Sequence, residues 1–258
     1  RLLDASCGSY TIEYEYAPTL SELFVFSSIG KATWESILAS CFDFLSACQT
    51  HTTPDIKGNE SLKLLAMDKT FDRLAQYSIA TGFDLDHPLI LNGKKLPSLK
   101  QITNEMISHI NLSSDTNASI MHGDFCLSNI LYNSRARRIC VIDPRGYIPG
   151  KGPSIFGDVR YDLAKLWHSF GELYDLIIAG HYQFEQITPY IFNLSFPSGL
   201  HHEWLQADFL RRLPTQTSRL EIQSLTVLLF VSMLPLHTDR PDRQKAFIAN
   251  AARLYELI

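Results

Sequence analysis

No apolar run in this 258-residue chain is long enough to cross a bilayer. A spanning helix needs about 20 predominantly apolar residues. The longest stretch, Leu225 to Leu236, is shorter, is interrupted by Thr226, Ser232 and Pro235, and reads as a buried core helix. Basic charge in excess is also missing. There are 23 Lys and Arg against 27 Asp and Glu, a formal net charge of −4, so no global basic surface exists to hold nucleic acid or an anionic membrane. Arg135, Arg137 and Arg138 make a local basic spot, for which a solvated hairpin turn is favoured over a binding patch. Cysteine is scarce. Cys7, Cys41, Cys48, Cys126 and Cys140 are odd in number and match no zinc or redox spacing, and Cys41 and Cys48 share one helical face as free buried thiols. That usage points to a reducing compartment and a cytoplasmic protein. No signal peptide is visible, although the chain begins with Arg1 rather than Met, which leaves targeting open. Internal repeats, low-complexity tracts and long linkers are missing too.

What is present is a globular composition, 45% hydrophobic and 19% charged, enough for one large domain or two small ones. Tyr10 to Tyr16 alternates with period two and predicts a strand that Ala17-Pro18 ends. Thr19-Leu20-Ser21-Glu22 has the form of a capping box opening a short helix. Helices follow at about 31–49, with Trp34, Ile37, Leu38, Cys41, Phe42, Leu45 and Cys48 on one stripe, and at about 61–81, with Leu62, Leu65, Phe71, Leu74, Tyr77 and Ile79 inward. Others are expected at 98–110, 158–170, 203–213, 217–236 and 241–257, with Thr215 and Thr217 as possible caps. The body is mostly helical, with a strand segment at its start and one short β unit in its middle.

That β unit carries the chemistry. Ile130-Leu131-Tyr132 and Ile139-Cys140-Val141-Ile142 flank the polar turn 133–137 and read as a hairpin. Directly opposed residues of an antiparallel pair lie about 5 Å apart, so Asn129, entering the first strand, and Asp143, leaving the second, meet at its open end. Asp124 sits on the loop feeding the same end. Carboxylate and amide oxygens suit a hard cation such as Mg²⁺, and a separate carboxylate suits a general base that takes a proton from a hydroxyl. Taken singly, each residue is more readily an ordinary turn residue; the joint spacing favours a site.

His122-Gly123-Asp124, Asn129, Ile142-Asp143 and Tyr161-Asp162-Leu163-Ala164 together resemble the aminoglycoside phosphotransferase and choline kinase family of small-molecule kinases. The resemblance covers about residues 120–170 closely and the chain from Tyr10 more loosely. It implies an α+β, protein-kinase-like fold: a mostly helical C-lobe with a short catalytic β-hairpin and a remnant of the N-lobe sheet, divided as 1–17 (last N-lobe strands and hinge) and 18–258 (C-lobe). It also implies ATP and Mg²⁺ as cofactors. Asp124 matches the catalytic base, and Asn129 and Asp143 the metal ligands. His122 matches a loop-ordering histidine, with plain packing an equal alternative. Asp162 matches the aspartate that braces the catalytic loop, which is compatible with a capping role. Glu15, Tyr16 and Ala17 fall where the family's hinge meets adenine through its backbone. Glycine at 123, in place of an arginine, carries no charge to pair with a phosphorylated activation loop.

The family's Gly-rich loop and nucleotide-pairing lysine have no counterpart in the nine residues before Tyr10. The expectation is a chain that starts inside the N-lobe, with an upstream N-lobe or fused domain, and weak or no kinase activity from these residues alone. The acceptor would be a small molecule with a hydroxyl: an amino alcohol, a sugar or a glycan precursor. Candidates for its pocket are Arg145, Tyr147, Trp167, His168, Tyr174 and Trp204. An aromatic cage would favour a quaternary amine, but Trp167 lies on an apolar helix face and is better read as core. Arg145 suggests an anionic group on the acceptor, against the favoured alternative of an ion pair with Asp158 or Glu172. His201-His202 reads as surface loop rather than metal site. The rival to an enzyme is a pseudokinase-like module that binds a nucleotide or a partner within a longer chain; a metal-dependent phosphohydrolase ranks last for want of ligands.

Overall fold

Thr19 opens the first helix by the capping chemistry expected of it: its side chain accepts from Glu22 N while Glu22 returns a bond to the Thr19 backbone. In this computed structural model residues 2–6, 8–113, 116–197 and 203–258 are described; Cys7 and the pair His201-His202 lie outside them. Helix Leu20–Phe26 is followed by helix Lys31–Gln49, whose buried face carries Trp34, Ile37, Leu38, Cys41, Leu45 and Cys48 as the periodicity predicts, with Phe42 partly buried. Two cores result. One joins these helices to the catalytic loop and to Leu163, Leu166, Trp167 and Phe170. The other surrounds helix Arg219–Ser232, which is buried from Ile222 to Ser232 apart from Gln223 and so reads as apolar all round. Helices Val159–Phe170, Lys69–Thr81, Leu99–Ser108 and Pro241–Glu256 pack against it. None of the helices is long and apolar enough to cross a membrane among the described residues.

Several expectations change. The strand predicted from Tyr10 to Tyr16 is shorter. Ser9–Ile12 pairs antiparallel with Leu2–Ser6 in a hairpin exposed along its whole length, and residues 13–18 run without regular structure. The alternation failed as a guide because neither face of this ribbon has a core to choose. The helix expected at about 61–81 starts at Gly58, and its middle, Lys63–Asp68, is wound as a π-helix. The wider i→i+5 turn moves the register of everything after it. Leu62, Leu65, Leu74 and Tyr77 stay buried, Thr70 takes an inward place, and Phe71 and Ile79 are left 41% and 85% exposed. Ser218, not Thr215 or Thr217, caps the helix that follows, through a second capping box with Glu221.

The body also holds more sheet than its local pattern suggested. Pro88–Leu91, Lys94–Ser98, Gln183–Thr188 and Ile191–Ser195 form a four-stranded sheet, with Ile191 opposite Ile90 in a parallel pair. Thr52–Lys57, Asn117–Ile120 and Phe156–Gly157 form a three-stranded sheet. The latter delivers the chain from Ile120 straight into the loop at Met121.

Candidate active site

The hairpin forms as expected, Ile130–Asn133 against Arg138–Val141, with Ile130 opposite Val141. Ile142 N donates to Asn129 O at 3.0 Å, so the ladder runs one pair further and Asp143 leaves it directly beyond Asn129's partner. Asp143 adopts φ +56°, a left-handed conformation that aspartate tolerates better than most residues other than glycine. Its carboxylate is exposed and has no hydrogen-bond or ion-pair partner among the described residues. Asn129 turns its Nδ2 toward Asp124, donating to the backbone O at 3.0 Å and to Oδ2 at 3.2 Å. That orientation leaves its Oδ1 free to face outward.

The loop His122–Asp124 is clamped from two sides. Asp162, 1% exposed, accepts from His122 N at 2.7 Å and Gly123 N at 2.8 Å. It braces the loop rather than capping its helix; Asp158 is the cap of helix Val159–Phe170, accepting from Arg160 N. From the other side, His122 Nε2 donates to Ile142 O at 2.9 Å, Arg145 N donates to His122 O at 2.8 Å, and Arg145 Nε donates to Gly123 O at 2.8 Å. Asp124 N donates to His122 Nδ1 at 3.3 Å, which assigns the ring proton to Nε2. Burial pushes the His122 imidazole below its ordinary value, so it is a neutral strut between loop and hairpin. Gly123 sits at φ +78°, and a Cβ there would stand 2.7 Å from Arg145 Cβ; the position is closed to other side chains by both conformation and contact.

Sequence reasoning missed Lys165. Its Nζ lies 2.8 Å from Asp124 Oδ1, with 11% of the lysine side chain exposed. Burial pushes the Asp124 carboxyl up, but the charge and hydrogen bond of Lys165, aided by Arg145 and His122, hold it below the usual carboxylate range. The available signal was a lysine set four residues after Tyr161 in an otherwise inward helix, between Leu163 and Leu166. Burial pushes Asp162 the other way, up to about 7, against its two backbone donors.

Around Asp124 the nearby side chains are largely cationic. Lys69 Nζ is 2.7 Å from the Tyr161 hydroxyl, and the Arg145 guanidinium lies 5.7 Å from both the Tyr161 and Tyr147 rings. Burial would raise the Tyr161 phenol, yet Lys69, Lys165 and Arg145 together bring it down to about 8. The ion pair expected of Arg145 does not form. Asp158 is taken by Arg160 at 2.7 Å, and Glu172 by Trp167 Nε1 at 2.8 Å and Arg253 at 3.5 Å. Trp167 is core, as expected. His168 and Tyr174 are not pocket residues: His168 is 0% exposed and stacks on Tyr174 at 4.2 Å and Phe230 at 4.5 Å. Trp204 lies apart, with Lys31 Nζ 5.9 Å from its ring.

In the segment expected to be the hinge, Glu15 binds Asn133 Nδ2 at 2.9 Å and Arg138 at 3.0 Å. Arg138 is thus a tether rather than a free turn residue. Tyr132 N donates to Pro18 O at 3.0 Å, which lays residues 15–18 across the catalytic hairpin. Ala17 N and Glu15 O are bonded to each other at 3.1 Å. Tyr16 is 91% exposed.

The donor set fits Mg²⁺. Asn129 Oδ1 and the Asp143 carboxylate are hard oxygen ligands free of protein partners, at the open end of one hairpin. No group of three His, Cys, Asp or Glu side chains among the described residues could hold a metal, so any cation here would complete its shell with water or substrate oxygens.

Comparison with known proteins agrees with this arrangement. The family model described as "Phosphotransferase enzyme family" matches residues 63–189, which take in the loop, the hairpin and Asp162. The resemblance read from the motifs holds, and the fold class is α+β and protein-kinase-like. No curated protein matches the chain. Among solved structures, the crystal structure of aminoglycoside-3'-phosphotransferase of type VIII is similar at 15% identity and TM-score 0.45, over 84% of this chain and 67% of that one. Choline kinase from Cryptosporidium parvum Iowa II is similar at 11% identity and TM-score 0.47, over 96% and 70%.

Proposed function

We propose that the protein is an ATP-dependent O-phosphotransferase acting on a hydroxyl of a small molecule. The observation that carries this reading is the junction of Asp124, Asn129 and Asp143 at the open end of the hairpin, with the loop held by Asp162 and His122. Asp124 would accept a hydrogen bond from the acceptor hydroxyl and aim its oxygen at the γ-phosphorus. As the new P–O bond forms, the bond to the β–γ bridging oxygen breaks, ADP leaves, and the hydroxyl proton passes to Asp124. Held low by Lys165, Asp124 is a weak base, and its main contribution is orientation, which suits a transfer governed by positioning and charge. Asn129 and Asp143 would hold Mg²⁺, which when bound neutralises charge on the β- and γ-phosphates. Backbone groups of Glu15 to Ala17 would border the nucleotide base, and residues 1–17 would belong with the N-lobe.

The test is Mg-ATP-dependent phosphate transfer to a panel of amino alcohols and sugars by the full polypeptide. Asp124→Asn should abolish transfer and leave nucleotide binding nearly intact; normal turnover by that variant would remove the base assignment. Nucleotide binding without transfer to any acceptor would favour the pseudokinase-like alternative.

A further inference from the structure

Among the described residues, three cations near Asp124 have no carboxylate within ion-pair distance: Lys69, Arg73 and Arg145. The π-helical turn Lys63–Asp68 sets Lys69 and Arg73, four residues apart, on one face of helix Lys69–Thr81. From there Lys69 Nζ reaches the buried Tyr161 hydroxyl at 2.7 Å, and Arg73 Nη1 is steadied by Ser232 O at 2.9 Å. Arg145 approaches the same Tyr161 ring from the catalytic segment, at 5.7 Å. Tyr161 and Lys165 share one face of their helix, and Lys165 holds Asp124 at 2.8 Å. The cations therefore border the base on its helical side, whereas Asn129 and Asp143 lie on its hairpin side. The acidic residues that a cationic acceptor would need are engaged elsewhere: Asp158 by Arg160, Glu172 by Arg253, and Asp175 by Ser21. Gathering like charges in a partly buried place is costly unless a counter-charge arrives.

We propose that Lys69, Arg73, Arg145 and the Tyr161 hydroxyl form a subsite for an anionic group on the acceptor, a carboxylate or a phosphate ester. This rests on the phosphotransferase reading for its position beside Asp124. The acceptor class is then an alcohol that carries negative charge, held by its anion while its hydroxyl meets Asp124. Neutral sugars and quaternary amines are excluded as preferred acceptors.

Titration calorimetry on the full polypeptide, with Mg²⁺ and a non-hydrolysable ATP analogue present, tests it. The probes are inorganic phosphate, glycerol 3-phosphate, glycerate, glycerol and choline. At least one of the anionic probes should bind about tenfold or more tightly than glycerol and choline. Preference for the phosphate probes names a phosphate ester, and preference for glycerate a carboxylate. Lys69→Met should weaken the anion by about tenfold or more, Lys69→Arg should restore it, and Lys63→Met on the exposed preceding turn should change nothing. Equal binding of choline or glycerol, no anion binding at about 10 mM, unchanged affinity in folded Lys69→Met, or displacement of the anion by the ATP analogue would each overturn the subsite. The functional reading fails separately: anions would bind as described, yet no phosphate would move from Mg-ATP to any alcohol.

Discussion

Replacing Asp162 by alanine tests the clamp on the catalytic loop. Its two carboxylate oxygens are the acceptors for His122 N and Gly123 N, at 2.7 and 2.8 Å, in a fully buried place. Alanine would leave both N–H groups without a partner, at about 1–3 kcal/mol each. Against this stands the relief of no longer burying a carboxylate, so the expected loss is about 3 kcal/mol, on the order of a 100-fold change in the local opening equilibrium. Asparagine keeps one acceptor and should lose about half as much. The assay is amide hydrogen exchange across residues 119–130, paired with urea denaturation. Asp162→Ala should speed exchange at His122 and Gly123 by about 100-fold, with helix Lys31–Gln49 much less affected. If the two amides keep their protection, the brace is not what orders the loop and the reasoning fails.

Asp162 also makes a pH prediction. Its folded value is raised to about 7, above the unfolded value of about 3.9, so the folded state binds the proton more tightly. Its contribution is fully present below about pH 4 and is lost as pH rises through about 7; Asp162→Asn should remove that slope from urea midpoints, and an unchanged slope would refute the assignment. Lys165→Met removes the cation that holds Asp124 low. The acid limb of the pH–rate profile for phosphate transfer should then move up by about 1–2 pH units, whereas an unmoved limb would mean that Asp124 is not the titrating group. Gly123→Ala meets both a positive φ and Arg145 Cβ at 2.7 Å; it should cost about 2–4 kcal/mol in urea denaturation, and a loss under about 0.5 kcal/mol would contradict the contact.

The parts that the sequence made legible are those fixed locally. Helix Lys31–Gln49 could be read because its apolar stripe keeps one period from Trp34 to Cys48. The catalytic hairpin could be read because two short apolar runs bracket a polar turn, and the step from hairpin to site needed only the antiparallel geometry that brings Asn129 beside Ile142. What escaped depends on partners distant in the chain. Nothing near Ile90 announces Ile191 as its parallel neighbour, although Asn92-Gly93, both at positive φ, is the dipeptide of a tight hairpin turn and marked the adjoining strand pair. The π-helical turn from Lys63 to Asp68 is set by packing, and a strict 3.6-residue stripe assigned Phe71 and Ile79 to an interior they do not enter. Lys165 is the instructive omission, because a charge within an apolar stripe implies a buried counter-charge. The counter-charge here is the catalytic aspartate.

The most direct measurement is a crystal structure of the full polypeptide with Mg²⁺ and a non-hydrolysable ATP analogue. The account predicts a cation about 2.1 Å from Asn129 Oδ1 and an Asp143 oxygen, with Asp124 still paired to Lys165 and facing the γ-phosphate rather than the metal. A cation bound elsewhere, or an Asp143 carboxylate that does not reach it, would contradict the account.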